Sequence, residues 1–253
     1  MKRTLMALAG VLAMASGAEA RNYETIRVGV DSPYPPFEFT NPDGSLGGFE
    51  IELGNEVCKE ITKKPCDWVV QAWDGIIPGL QSRKYDMIFS SMTISEERKK
   101  HVLFSAPYYL SPSGYFAPKA SKFSPKSTKD VRIGVQRATV QDKYATEVHK
   151  DAKIVRYTSA DDLRVDMAGG RLDAVFIEAP VGVDLFKESK KDVVLIGESI
   201  SEPKEFFGDG IGAAFRKRDK DLAEKVNKAL EKLKNDGTYD AIMKKYFDYS
   251  IKV

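Results

Sequence analysis

One arginine, several short hydroxyl side chains and two well-separated carboxylates make up the chemistry-bearing part of this sequence. Ser90 and Ser91 open the run Ser90-Ser91-Met92-Thr93, and Arg98 follows five residues after Thr93. A carboxylate partner is held best by a planar, bidentate cation flanked by hydroxyl and backbone donors, which Arg98 and Ser91 can supply. A solvent-facing ion pair is the competing reading of Arg98, because Glu96, Glu97, Lys99 and Lys100 surround it. Asp31 ends one β-branched run, and Glu178 follows another, Ala174 to Ile177. A carboxylate at such a position must stay solvated or find a cation. For Glu178 that cation is either a ligand ammonium or an internal salt bridge. Tyr34 sits in the proline-stiffened loop Asp31-Ser32-Pro33-Tyr34-Pro35-Pro36-Phe37. With Trp73 it offers aromatic faces for an aliphatic stem or a guanidinium, packing being the alternative for each. Together these groups suit a zwitterion that carries one further positive charge.

The elements that must position them alternate in type. Strand-like runs occur at Ile26 to Val30, Asp86 to Phe89, Ile133 to Val135, Ala174 to Ile177 and Val193 to Ile196. Between them Phe49, Leu53, Val57 and Ile61 form a single helical stripe, as do Ile76, Ile77 and Leu80. Leu222, Val226, Ala229, Leu230 and Leu233 line a late helix that is otherwise charged. Strands alternating with helices predict α/β architecture, with largely parallel sheet covered on both faces. IRVGVD (26–31) and VRIGVQ (131–136) open two such units, and Thr139 lies near the start of the helix after the second. Helix amino ends hold anions through free N–H groups. Ser95, followed by Glu96 and Glu97, is a candidate helix N-cap. Lys119 to Lys129, rich in Lys, Ser and Pro, reads as a surface loop. Ligands of such folds bind between lobes, at the carboxyl ends of parallel strands.

Composition narrows the function further. A net charge of +2 with 30% charged residues argues against a nucleic-acid partner. Residues 1–20 have a basic start, an apolar run from Leu5 to Ala15 and an A-x-A site at Ala18-Glu19-Ala20. That is the layout of a secretory signal peptide cleaved after Ala20, an N-terminal anchor being the alternative. Cys58 and Cys66 are expected to pair in an exported chain, with two buried thiols as the other possibility. Two cysteines and the distant His101 and His149 do not supply a metal site, and no cofactor is expected.

Several ordered segments resemble the family-3 extracellular solute-binding proteins, the polar amino-acid receptors of ABC importers. These are GFEIELGNEVCKEI (48–61), YDMIFSSMTISEERK (85–99), GRLDAVFIEAPV (170–181), FGDGIGAAFRK (207–217) and DGTYDAIMKKYF (236–247). Within that family the chain resembles the lysine/arginine/ornithine and histidine receptors, which carry the same near-spaced cysteine pair. The resemblance implies a type II periplasmic binding fold: lobe 1 from 21–111 and 208–253, lobe 2 from 112–207, joined by extended hinges near 109–113 and 203–209. It implies that Arg98 holds a ligand α-carboxylate, with Ser91, Thr93 and Thr139 adding donors. Tyr34 and Trp73 would sandwich the side chain, Asp31 would meet its positive end, and Ser90, Gln136 and Gln141 would line the cleft. Where the family has Asp for the α-amine, this chain has Glu178; where it has Gly-Ser-Thr, this chain has Ala138-Thr139-Val140, beside Arg137.

The expected function is capture of arginine, lysine, ornithine or histidine in the periplasm by a monomer, and delivery to a membrane permease. A chemoreceptor or sensor kinase is an alternative partner, and another polar amino acid or an arginine-derived opine an alternative ligand. The chain is not expected to be an enzyme, although the fold resembles that of exported cyclohexadienyl dehydratases, for which Glu178 is the one candidate acid. Intact-mass measurement of the exported protein is expected to give a chain beginning at Arg21; a mass that retains residues 1–20 refutes cleavage.

Overall fold

A computed structural model describes residues 23–253 of the chain. The expected signal peptide, 1–20, lies outside the described residues. The first lobe begins with β1 (Arg27–Val30), the short hairpin of β2 (Phe39–Thr40) and β3 (Leu46–Gly47), and α1 (Phe49–Thr62). β4 (Asp67–Val70), α2 (Ile76–Gln81), β5 (Met87–Ile88), α3 (Glu96–Lys99) and β6 (Leu103–Phe104) follow. The second lobe holds β7 (Ser113–Pro118), β8 (Arg132–Gln136), α4 (Val140–Val148), β9 (Lys153–Tyr157), α5 (Ala160–Ala168), β10 (Ala174–Glu178), α6 (Ala179–Phe186), β11 (Val193–Ile200) and α7 (Lys204–Phe207). The chain then returns as β12 (Ala214–Phe215), α8 (Lys220–Asn235) and α9 (Thr238–Tyr246).

Two five-stranded sheets result, ordered β4-β1-β5-β12-β6 and β11-β7-β10-β8-β9. The apolar runs at 133–135, 174–177 and 193–196 lie in strands, as does 26–30 from its second residue on, and the three helical stripes lie in α1, α2 and α8. Phe49, Leu53 and Val57 are fully buried, whereas Ile61 is only half-buried at the far end of α1. Each full burial stabilises by roughly 1.5–3 kcal/mol. Gly48 starts α1 at φ 117°, and a Cβ there would stand 2.2 Å from the Phe37 carbonyl oxygen, so glycine is required.

The sheets are mixed, not largely parallel. β7 runs antiparallel to β10 and β11, and β12 antiparallel to β5 and β6. Connectivity is the physical reason. A chain that enters a lobe beside the cleft must run away from it, opposite to the βα units whose strands end there. Ser113, the first residue of β7, pairs with Glu178, the last of β10.

The two crossings lie side by side. Tyr108 N–H donates to Ile211 O at 3.0 Å, and Ile211 N–H to Tyr109 O at 2.9 Å. The second crossing differs from its expected extended form at 203–209. Residues 204–207 are the helix α7, and Phe206 and Phe207 pack on Tyr144 of the second lobe. Burial of two phenylalanines outweighs an extended backbone at that point, and extended pairing begins only at Ile211.

Cys58 near the end of α1 is bonded to Cys66 just before β4. Closing a loop of eight residues by a disulfide stabilises by about 2–3 kcal/mol on chain-entropy grounds. A Cys58→Ser/Cys66→Ser variant is therefore expected to lose about that much unfolding free energy, read as a lower urea midpoint. An unchanged midpoint would show that the native packing already holds this loop.

Candidate functional site

Four strands deliver the site from their carboxyl ends. β1 is followed by Asp31, β5 by Ser90, Ser91 and Thr93, while β8 ends on Gln136 and β10 on Glu178. They enclose a narrow cleft between the lobes. It is lined by Asp31, Tyr34, Glu38, Trp73, Ser90, Ser91, Thr93, Arg98, Gln136, Thr139, Val140, Gln141 and Glu178. All eleven residues singled out from the sequence thus come together.

On the first lobe, Ser90 Oγ accepts from the Asp31 amide at 3.0 Å and donates to Glu38 Oε1 at 2.6 Å. Arg98 is buried, so the surface ion-pair reading of it fails. Ser95 caps the short helix that carries it. Its Nη1 donates to the Thr93 carbonyl at 3.1 Å, and its guanidinium carbon stands 5.0 Å from the centre of the Trp73 ring. Guanidinium stacked on indole is a favourable cation–π arrangement.

The second lobe reaches across. Gln136 Nε2 donates to Asp31 Oδ2 at 2.7 Å. Ala138, at φ 61°, turns its carbonyl towards the first lobe, where it accepts from Trp73 Nε1 at 3.1 Å and Arg98 Nη2 at 3.4 Å. Lys143–Glu97 and Arg137–Asp74 ion pairs span the rim at 2.8 and 3.4 Å. The lobes are therefore closed on each other. Arg137 is half-exposed in its pair and is not among the cleft residues, so it does not oppose a cationic group inside. Thr139 caps α4, accepting from the Asp142 amide and donating to the Gln136 carbonyl, so its hydroxyl hydrogen is already engaged.

Three carboxylates and one guanidinium line this volume. Burial pushes Asp31 up to about 6, and Glu178 up to about 8. Burial, with Glu50 beside it, holds Glu38 well above the usual carboxylate range. Burial also lowers Arg98 to about 10, leaving it charged at neutral pH. Neither Asp31 nor Glu178 has a cation within salt-bridge distance among the described residues. Glu178 is met instead by the hydroxyls of Ser111 and Tyr34. The internal salt bridge considered for Glu178 is thus not made. Glu38 Oε2 is buried with no hydrogen-bond partner among the described residues.

Glu38, Val140 and Ser111 were not singled out from the sequence. A glutamate in a proline-rich loop reads as solvent-facing, and only the Tyr34–Glu38 bridge turns it inward. Its flanking Phe37 and Phe39 were the available signal.

The family model for bacterial extracellular solute-binding proteins, family 3, matches residues 26–249. The chain belongs to this family. It is 37% identical to the lysine/arginine/ornithine-binding periplasmic protein of Escherichia coli (strain K12), with 99% of each chain covered. It is 39% identical to the L-arginine-binding protein of Pseudomonas aeruginosa, over 89% of each. Among solved structures, an ancestral arginine-binding protein bound to arginine superposes with a TM-score of 0.83 at 35% identity, over 90% of this chain and all of that one. The two-lobed type II fold, with its cleft between lobes, is that of this family-3 protein. No helix of the described residues is long and apolar enough to cross a membrane.

The raised acids fix a pH dependence. Folded Glu178 binds its proton up to about pH 8, whereas the unfolded side chain releases it near the ordinary 4.5. Between those values the folded state carries more protons, so stability falls as pH rises, by a few kcal/mol at most. The ligand-free protein is expected to melt lower at pH 8.5 than at pH 5.5, and Glu178→Gln to flatten that slope. A wild-type melting temperature that rises over this range contradicts the burial of a neutral acid.

Proposed function

We propose that this family-3 protein captures a free cationic amino acid, arginine foremost, in the periplasm and delivers it to the permease of an ABC importer. The observation that carries the reading is the balance of ionisable groups in the closed cleft: three buried acids and one buried guanidinium. A zwitterion with a cationic side chain supplies what is missing. Arg98, Thr93 and the amides opening α4 take the α-carboxylate. Glu178 takes the α-ammonium in place of an internal cation. Asp31 takes the side-chain charge, with Tyr34 and Trp73 beside the stem and Ser90, Gln136 and Gln141 along the walls. The relatives named for arginine and for lysine/arginine/ornithine support this ligand class.

Because the site is built from both lobes, a ligand binds the closed arrangement better than an open one and shifts the population toward it. The closed surface is what a permease, or a chemoreceptor or sensor kinase, would read, and the protein acts as a monomer. One observation favours a dehydratase reading: Glu178 holds a proton near neutrality, as a general acid must. Asp31 in the same cleft opposes an anionic substrate such as prephenate, and we place the protein among receptors.

Ligand-stripped protein is expected to gain roughly 5–10 °C in melting temperature with arginine at about a hundred times its Kd, which corresponds to about 2.7 kcal/mol. Glutamine and glutamate are expected to give no such rise. Asp31→Ala is expected to weaken arginine by at least about 30-fold. Undiminished affinity in that variant, or turnover of prephenate by the wild type, removes the proposal.

A further inference from the structure

Glu50 belongs to the GFEIEL run, and the proposed ligand contacts leave it unused. Its carboxylate is wholly buried in the first turn of α1. Oε1 accepts from the Ser91 amide at 2.9 Å and from the Tyr109 hydroxyl at 2.8 Å, while the Tyr108 hydroxyl stands 2.9 Å from both oxygens. Tyr108 and Tyr109 lie on the first crossing, paired with Ile211 of the second. Ser91 lines the cleft, has a left-handed φ of 46°, and places its Oγ 2.5 Å from the Tyr109 hydroxyl. A chain of hydrogen bonds therefore runs from Glu50 through a crossing residue into the cleft.

Donor counting sets the polarity of that chain. Burial pushes Glu50 up to about 7, so above that pH it is a carboxylate and only accepts, while a tyrosine has one hydroxyl hydrogen. Tyr109 spends its hydrogen on Glu50, so the hydrogen between Tyr109 and Ser91 must come from Ser91. The Ser91 oxygen is then left with lone pairs for the cleft. On the same crossing, Ser111 donates to Glu178, which stands as the second acceptor.

We propose that Glu50 is a positioning residue: through Tyr109 it fixes Ser91 as an acceptor for the positive end of the ligand, and it ties that contact to the segment that bends when the lobes part. This replaces the expectation that Ser91 donates to the ligand carboxylate. Glu50 touches no ligand; it holds the left-handed Ser91 backbone and sets the direction of its hydroxyl. The proposal rests on the reading of the cleft as an amino-acid site.

A double-mutant cycle tests it, with arginine as the probe and calorimetry as the readout. Tyr109→Phe is expected to weaken arginine about tenfold in the wild-type background, the scale of one hydrogen bond to a charged group. In a Ser91→Ala background it is expected to cost less than twofold, and Glu50→Gln to show the same dependence on Ser91. Equal costs of Tyr109→Phe in both backgrounds overturn the proposal, since the effect of Tyr109 on arginine would then not pass through Ser91. Ser91→Ala is further expected to weaken agmatine, which keeps the cations of arginine but lacks its carboxylate; agmatine binding unaffected by that change returns Ser91 to the carboxylate and overturns the assignment. Should Glu50→Gln fail to fold, Tyr109→Phe alone decides. Wild-type protein that binds no cationic amino acid refutes the receptor reading itself, an outcome separate from failure of the cycle.

Discussion

Carboxylates held out of water, with too few internal cations to pair them, are the constraint on which the cleft depends. Asp31, Glu38 and Glu178 share one closed space with Arg98. In water each acid would ionise near its ordinary value; between the lobes, burial raises all three. An unpaired buried charge costs far more than a buried neutral group. The buried acids therefore hold protons near neutrality, and a cationic group brought among them would be a favourable partner.

That arrangement exists only because two sheets end against one another. The carboxyl ends of β1 and β5 face those of β8 and β10, and each brings one or more polar side chains. The left-handed Ala138 turns its carbonyl to meet both Trp73 and Arg98. Such a backbone conformation is costly for a residue with a Cβ and persists where surrounding bonds over-determine it. The same holds for Ser91, whose amide is fixed by Glu50.

The crossings join this chemistry to movement. Tyr109 touches Ser91 on one side and Glu50 on the other, and Ser111 touches Glu178. Gln141, on the second lobe, donates to Ser113 where the crossing becomes β7. A change in the backbone of 108–113 must therefore disturb acceptors on both lobes. On the proposed function, a ligand that engages those acceptors would restrain the crossing and so bias a lobe-scale equilibrium.

Much of this was legible in the residues. The periodicities of α1, α2 and α8 and the apolar runs of β1, β8, β10 and β11 follow from burial of one face or both, which one-dimensional pattern records. The eleven cleft residues were legible because ligand chemistry demands particular side-chain types at strand ends, and the family resemblance placed them. The antiparallel β7 and β12 were not legible, because strand direction depends on where the chain enters a lobe. Nor were Glu38 and Glu50 as buried acids, or Arg137 as a rim residue, because exposure of a charged side chain is settled by its neighbours in space. The sequence by itself determined the element types, the cysteine pair and the stock of groups that can meet a zwitterion. Only the tertiary structure decided which of those groups lose their water, and desolvation, not residue type, sets their protonation and hydrogen-bond polarity.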